Sequence, residues 1–173
     1  YIAKLPEHCR KILNIPFEKE NFNIYELWGL MSIILDFSPS TQIDVASKVL
    51  ENNSISFLGE KGPRIDYKVF KKNNKTSLDY LMIIRSAMSF KLAGIDDLTL
   101  SYGIIESFVE FLANEIESVR ENFNIDLVVA SGSMLENKKL FAKLSVESSI
   151  NGSLYFNNQL LVDGANITYG DYC

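Results

Sequence analysis

The sequence predicts an α/β domain in which helices pack on a small mixed sheet. Two observations lead there: several long segments repeat apolar residues at helical spacing, and a short run rich in β-branched residues, Leu127, Val128, Val129 and Ala130, is followed at once by a small-residue turn. Helices in succession with a few strands near the C-terminus indicate a layered structure, with 127–130 as a central strand buried on both faces.

Residues 1–23 alternate apolar and charged side chains around Pro6 and Pro16, with a short helix expected over 7–13. From 24 to 37, Tyr25, Leu27, Trp28, Leu30, Met31, Ile33, Ile34 and Leu35 are apolar nearly all round, as in a helix buried on several sides. Gly29 in its middle costs roughly 1 kcal/mol relative to Ala, which points to close packing against another element. Residues 38–41 break that helix and start a second, carried by Ile43, Val45, Ala46, Val49 and Leu50 and ending at Asn52 and Asn53.

Period-two alternation over 56–58 and 65–70, around Gly59, Gly62 and Pro63, predicts a short β-hairpin insertion near 55–70. Thr76 or Ser77 then caps a helix that runs to Gly94, and the longest periodic segment, 99–119, buries Ile104, Ile105, Phe108, Phe111, Leu112, Ile116 and Val119 on one face. After the strand at 127–130, Ser131, Gly132 and Ser133 allow a tight turn, and helical spacing resumes from Met134, with Ser131 or Ser133 as N-cap. Strand, turn and helix in this order aim free backbone N–H groups at the turn, a ready phosphate site. Residues 154–156 and 160–162 read as strands, and Ile167, Tyr169 and Gly170 as the start of a last helix.

A chain of 173 residues with 47% hydrophobic residues supports one buried core, so 1–173 reads as a single domain, and as a piece of a larger protein. Lys plus Arg number 17 against 22 Asp plus Glu, and the resulting charge of −5 gives no overall field to attract nucleic acid. Lys68, Lys71, Lys72 and Lys75 around Asn73 and Asn74 read as a solvated hairpin tip. Cys9 and Cys173 are the only cysteines, which fits a reduced, cytoplasmic protein. No apolar run reaches the roughly 18 residues of a membrane span. His8, the single histidine, has no ligand-spaced partner and reads as a surface or satisfied side chain.

No Cys-x-x-Cys, His pair, Gly-x-Ser-x-Gly or Gly-x-x-x-x-Gly-Lys occurs, which removes zinc, serine-hydrolase and Walker-type readings. What remains is two small-residue turns after strands: Ser131-Gly132-Ser133 and Asp163-Gly164-Ala165, the second opening on a carboxylate.

Residues 128–140, Val-Val-Ala-Ser-Gly-Ser-Met-Leu-Glu-Asn-Lys-Lys-Leu, resemble the stretch Leu-Ser-Gly-Gly-Val-Phe-Gln-Asn-Arg-x-Leu of HypF, the carbamoyltransferase of nickel-iron hydrogenase maturation. Residues 162–170 are similar to that family's Asn-Asp-Gly-Gly-Ile-x-Leu-Gly with one residue inserted, and to an Asp-Asn-x-Ala-Met-Ile ending in the related TsaD. Residues 25–35 are similar to HypF's Gly-Arg-Leu-Phe-Asp-Ala-Val-Ala-Ala-Leu-Leu helix. The resemblance spans roughly 24–170, with its specificity in the two turn motifs.

The resemblance implies the C-terminal lobe of an actin-like ASKHA (RNase H-like) domain, one piece of a carbamoyltransferase that is inactive alone. The intact enzyme would move a carbamoyl group from carbamoyl-adenylate, made from ATP, to the C-terminal cysteine of a HypE-like partner. By position, Gly132, Ser133, Asn137 and Gly164 border the nucleotide, and Asp163 ligates a divalent or iron-type metal; no residue is assigned the catalytic step. Partners implied are the HypE-like protein and the remaining lobe, with no membrane or nucleic acid. Departures from the family pattern are Ser133 for the second Gly, Glu136 for Gln, Glu26 for Arg and Gly29 for Asp. A degenerate, non-catalytic ASKHA lobe serving as a binding module, and a TsaD-like tRNA threonylcarbamoyl transferase, are the alternative readings.

Overall fold

A computed structural model describes residues 23–72, 75–149 and 153–156. The expected helix at 7–13, His8, Cys9, the strand at 160–162, the turn at Asp163 and Gly164, the last helix and Cys173 lie outside the described residues. The chain forms two compact units, Tyr1–Ser107 and Phe108–Cys173.

The first unit is built on α1 (Ile24–Ile34), whose residues from Leu27 to Ile34 are all buried. Asn23 and Glu26 start it as a reciprocal capping box: the Asn23 Oδ1 accepts from the Glu26 N–H at 2.9 Å, and the Glu26 carboxylate accepts from the Asn23 N–H at 3.0 Å. The glutamate that departs from the HypF pattern therefore has a local structural use. The helix stops three residues before the expected end, because Asp36 turns left-handed (φ 60°). The Phe37 and Asp36 N–H groups bond back to the Ser32 and Ile33 carbonyls, closing the helix in a Schellman arrangement.

Helix α2 (Ile43–Ser56) follows and runs through the Asn52-Asn53 pair rather than ending there. Leu30, Ile33 and Ile34 of α1 form a buried cluster with Ala46 of α2, against which Ile43, Ile84 and Met88 pack. Gly29 packs directly against the start of α2: a Cβ added there would lie 2.2 Å from the Ile43 carbonyl oxygen. Close packing at Gly29 is thus as the sequence predicts.

The hairpin expected over 55–70 is displaced. Residues 57–68 contain no strand, and the antiparallel pair is β1 (Val69–Lys72) with β2 (Lys75–Leu78). The reason is where the backbone donors go. The Gly62 N–H donates to the Glu106 carboxylate (2.9 Å), the Ile65 N–H to the Ser107 hydroxyl (2.8 Å) and the Asp66 N–H to the Ser86 hydroxyl (3.3 Å), so helix side chains take the place of a strand partner. A Cβ at Gly62 would lie 2.4 Å from the Gly103 Cα, and one at Gly103 would lie 2.4 Å from the Pro63 carbonyl oxygen, so neither position has room for a side chain. A Glu106→Ala variant, which strands the Gly62 N–H in a part-buried setting, is expected to lose about 2 kcal/mol in urea unfolding, while Glu106→Gln keeps most of that stability.

Tyr67 ends this segment with its ring buried and its hydroxyl accepting from the Trp28 indole N–H at 3.3 Å. Burial pushes the Tyr67 phenol far above the usual phenol range, and the Trp28 hydrogen bond offsets only a small part. The unfolded chain releases this proton near pH 10 while the folded chain keeps it. The contribution of Tyr67 to stability is therefore fully present below about pH 10 and is lost as the pH rises above it, by up to about 1.4 kcal/mol per pH unit. Tyr67→Phe should show a shallower decline of stability between pH 10 and 11 than the parent.

Helix α3 (Tyr80–Leu92) is capped by Asp79, whose carboxylate accepts from the Met82 N–H (3.0 Å). Thr76 and Ser77, the expected caps, lie in β2. Gly94, with φ 89°, turns the chain after α3, as expected for the glycine after a helix. Helix α4 (Asp97–Phe123) is longer than its apolar stripe suggests, and Asp96 caps it through the Leu98 and Thr99 N–H groups. The hydrogen bond from the Thr99 hydroxyl, with the Thr99 and Leu98 N–H bonds behind it, holds the Asp96 carboxyl below its ordinary range.

The second unit comprises the later part of α4, then β3 (Leu127–Ala130), a 3-10 turn (Ser133–Glu136), α5 (Lys138–Ser149) and β4 (Ser153–Phe156). β3 and β4 pair in parallel, with Val129 opposite Tyr155, so strand, helix and strand form one crossover unit. Leu140 and Leu144 of α5 are buried, and Phe141 packs on Phe156 with ring centroids 4.6 Å apart. The molecule is α/β as predicted. Among the described residues, however, one mixed sheet is replaced by two separate two-stranded pairs. Nor is β3 buried on both faces: Leu127 and Val129 are 59% and 61% exposed, alternating with half-buried Val128 and Ala130.

Candidate functional site: the turn after strand β3

The turn between β3 and α5 holds three of the residues expected at a nucleotide: Gly132, Ser133 and Asn137. Gly132 has φ 131° and ψ 154°, and a Cβ there would meet nothing within 4 Å. The glycine is needed for its backbone angle, not for space. Ser133 to Glu136 then form a single 3-10 turn, in which the Leu135 N–H bonds to the Gly132 carbonyl and the Asn137 N–H to the Met134 carbonyl, both at 3.1 Å.

The α-helix starts at Lys138, and neither Ser131 nor Ser133 caps it. Asn137 does: its Oδ1 accepts from the N–H groups of Lys139 (3.1 Å) and Leu140 (3.2 Å). A planar carboxamide can satisfy both first-turn donors, while Ser131 lies before the 3-10 turn and Ser133 is its first residue, so neither directly precedes the helix. Two of the amides expected to face a phosphate are thus already used. Asn137 is a residue type preferred at helix caps, but Ser133 and Ser131, four and six residues before it, competed with it as cap candidates.

Asn137 is only 4% exposed, and its Nδ2 finds no hydrogen-bond partner among the described residues. Buried amide donors are nearly always paired, so this group is the chemical feature of the turn that asks for an acceptor. Ser131 and Glu136 are exposed, and Gly132 and Ser133 are half-buried. Asp163 and Gly164 lie outside the described residues, so the geometry joins Gly132, Ser133 and Asn137 but not the second turn. Among the described residues no three His, Cys, Asp or Glu side chains are grouped to hold a metal ion, and no helix is long and apolar enough to cross a membrane.

Elsewhere in this unit a cleft of about 340 Å³ is lined in part by Glu110, Asn114, Glu117, Arg120, Glu147 and Ser148. Its charges answer one another: Lys143 reaches Glu147 (3.3 Å) and Glu110 (4.0 Å), and Arg120 reaches Glu117 (3.9 Å). None of its lining residues belongs to the turn.

No family model matches the chain. Over 164 residues it is 34% identical to protein HydE of Wolinella succinogenes, a match that covers 94% of this chain and 30% of HydE. Its fold superposes on the crystal structure of full-length HypF in the phosphate- and nucleotide-bound form with a TM-score of 0.72, at 15% identity, over 93% of this chain and 23% of HypF. The fold is HypF-like. The chain spans less than a third of the length of either relative, and at 15% identity the likeness to HypF extends to the fold alone.

Proposed function

We propose that this chain is part of a HypF-type carbamoyltransferase in which the turn at 131–137 binds the nucleotide portion of ATP or carbamoyl-adenylate. The Asn137 amide supports this reading most directly. A buried N–H group without a partner costs about 1–3 kcal/mol, and a phosphate or ribose oxygen is an acceptor that removes the cost. Gly132 and Ser133 keep the turn small enough for close approach, and Gly164 borders the same nucleotide. Asp163 would hold the divalent or iron-type metal, because a hard carboxylate oxygen suits such a cation.

In the intact enzyme the thiolate of the C-terminal cysteine of a HypE-like partner attacks the carbamoyl carbon. A carbon–sulfur bond forms, the carbon–oxygen bond to the phosphate breaks, and AMP leaves with its electron pair. These 173 residues alone do not catalyse that transfer; the remaining lobe supplies the rest of the cleft.

A second reading, a degenerate lobe kept as a non-catalytic binding module, draws on a different observation. The Asn137 Oδ1 already satisfies the Lys139 and Leu140 amides, and exposed Glu136 adds negative charge beside the turn. Calorimetric titration of ATP with Mg²⁺ into the polypeptide encoded by the complete reading frame separates the two. The active reading expects micromolar binding that disappears in Asp163→Ala; the module reading expects none.

A further inference from the structure

Asn137 uses every polar atom but one. Its N–H donates to the Met134 carbonyl (3.1 Å) and its carbonyl accepts from the Phe141 N–H (2.9 Å), while its Oδ1 takes the Lys139 and Leu140 amides. Nδ2 is left without a hydrogen-bond partner among the described residues, in a side chain that is 4% exposed. The carboxamide cannot turn over to change this, because a flip would set the Nδ2 donors against the Lys139 and Leu140 donors. The direction of Nδ2 is therefore set by the same two bonds that start α5.

The dependence runs both ways. An amide is planar and rigid, so an acceptor that holds Nδ2 also holds Oδ1 over the first turn of α5. Linkage makes the effect reciprocal: if an intact cap favours the ligand, the ligand favours the intact cap by the same factor. We infer that nucleotide binding at the turn and ordering of the α5 N-terminus form one coupled equilibrium, with the Asn137 carboxamide as the joint. This inference rests on the nucleotide reading of the turn and adds a conformational consequence to it. The coupled first turn also carries weight in its unit: Leu140 is buried in it, and the neighbouring Phe141 packs on Phe156 of β4.

Helix starts open by local fraying, without unfolding of the whole chain. A ligand at about a hundred times its Kd suppresses any opening that releases it about a hundredfold. The test is hydrogen exchange resolved to single amides, on the polypeptide encoded by the complete reading frame, with and without saturating ATP and Mg²⁺. The Lys139 and Leu140 amides are expected to exchange at least roughly tenfold more slowly with nucleotide. The Met82 amide, capped by Asp79 on α3 in the other unit, is expected to keep its rate, which separates a local effect from general stabilisation. In Asn137→Ser, which retains a capping oxygen and lacks the second donor, nucleotide is expected to leave the Lys139 and Leu140 rates unchanged. Calorimetry showing that ATP binds the parent while these two amides exchange as before, or slow only as much as Met82, overturns the inference and leaves the nucleotide reading standing. Slowing in Asn137→Ser equal to that in the parent removes the carboxamide as the joint and overturns it as well. Absence of ATP binding by the parent overturns both.

Discussion

Replacing Gly29 with alanine is expected to destabilise the protein by roughly 3 kcal/mol, at the upper end of what overpacking a core usually costs. Two effects oppose each other. Alanine in mid-helix favours folding by about 1 kcal/mol over glycine. Against this, the new Cβ would lie 2.2 Å from the Ile43 carbonyl oxygen and 2.6 Å from the Ile43 Cγ2. The first of those atoms is backbone, so relief requires α1 and α2 to separate, and that loosens Leu30, Ile33, Ile34 and Ala46 together. Steric overlap wins. In thermal unfolding the loss reads as a Tm drop on the order of 10 °C. Gly94→Ala is the informative contrast, because its Cβ would meet nothing within 4 Å and only the positive φ opposes it, for about 1–2 kcal/mol. A Gly29→Ala protein as stable as the parent would mean that the two helices do not cross at this residue.

Gly29 also shows what was legible in the sequence. An unbroken apolar helix interrupted by one glycine has few explanations other than close approach, and the structure has that approach. Helix existence was equally plain at 43–56, 80–92 and 97–123, because periodicity over many residues averages out local ambiguity. The hairpin was misplaced for the opposite reason. Ile65 and Tyr67 alternate as in a strand and are buried as in a strand, yet their segment bonds to Glu106, Ser107 and Ser86, residues at least twenty positions away that local pattern cannot reveal. Asp79 took the cap of α3 from Thr76 and Ser77 because those two are held in register opposite Lys71 and Phe70. At the candidate site the small-residue turn and its glycine were readable. The 3-10 turn that hands the cap to Asn137 was not, since no composition cue separates one turn of 3-10 helix from the first turn of an α-helix.

That transfer of the cap makes Asn137 the residue on which the functional account turns, because its two amide atoms do different work. Oδ1 holds the start of α5; Nδ2 is the buried donor proposed to meet the nucleotide. Asn137→Ser retains a good capping oxygen and removes the second donor, so its Tm is expected to stay within a few degrees of the parent. Asn137→Ala removes both functions and is expected to lose about 1 kcal/mol of stability as well. The direct measurement is calorimetric titration of ATP with Mg²⁺ into the complete polypeptide, parent beside Asn137→Ser, with folding of both checked by thermal unfolding. Micromolar affinity in the parent, weakened at least tenfold in the folded serine variant, is the predicted result. Equal affinity in the two, or no binding by the parent, would contradict a nucleotide held at this turn.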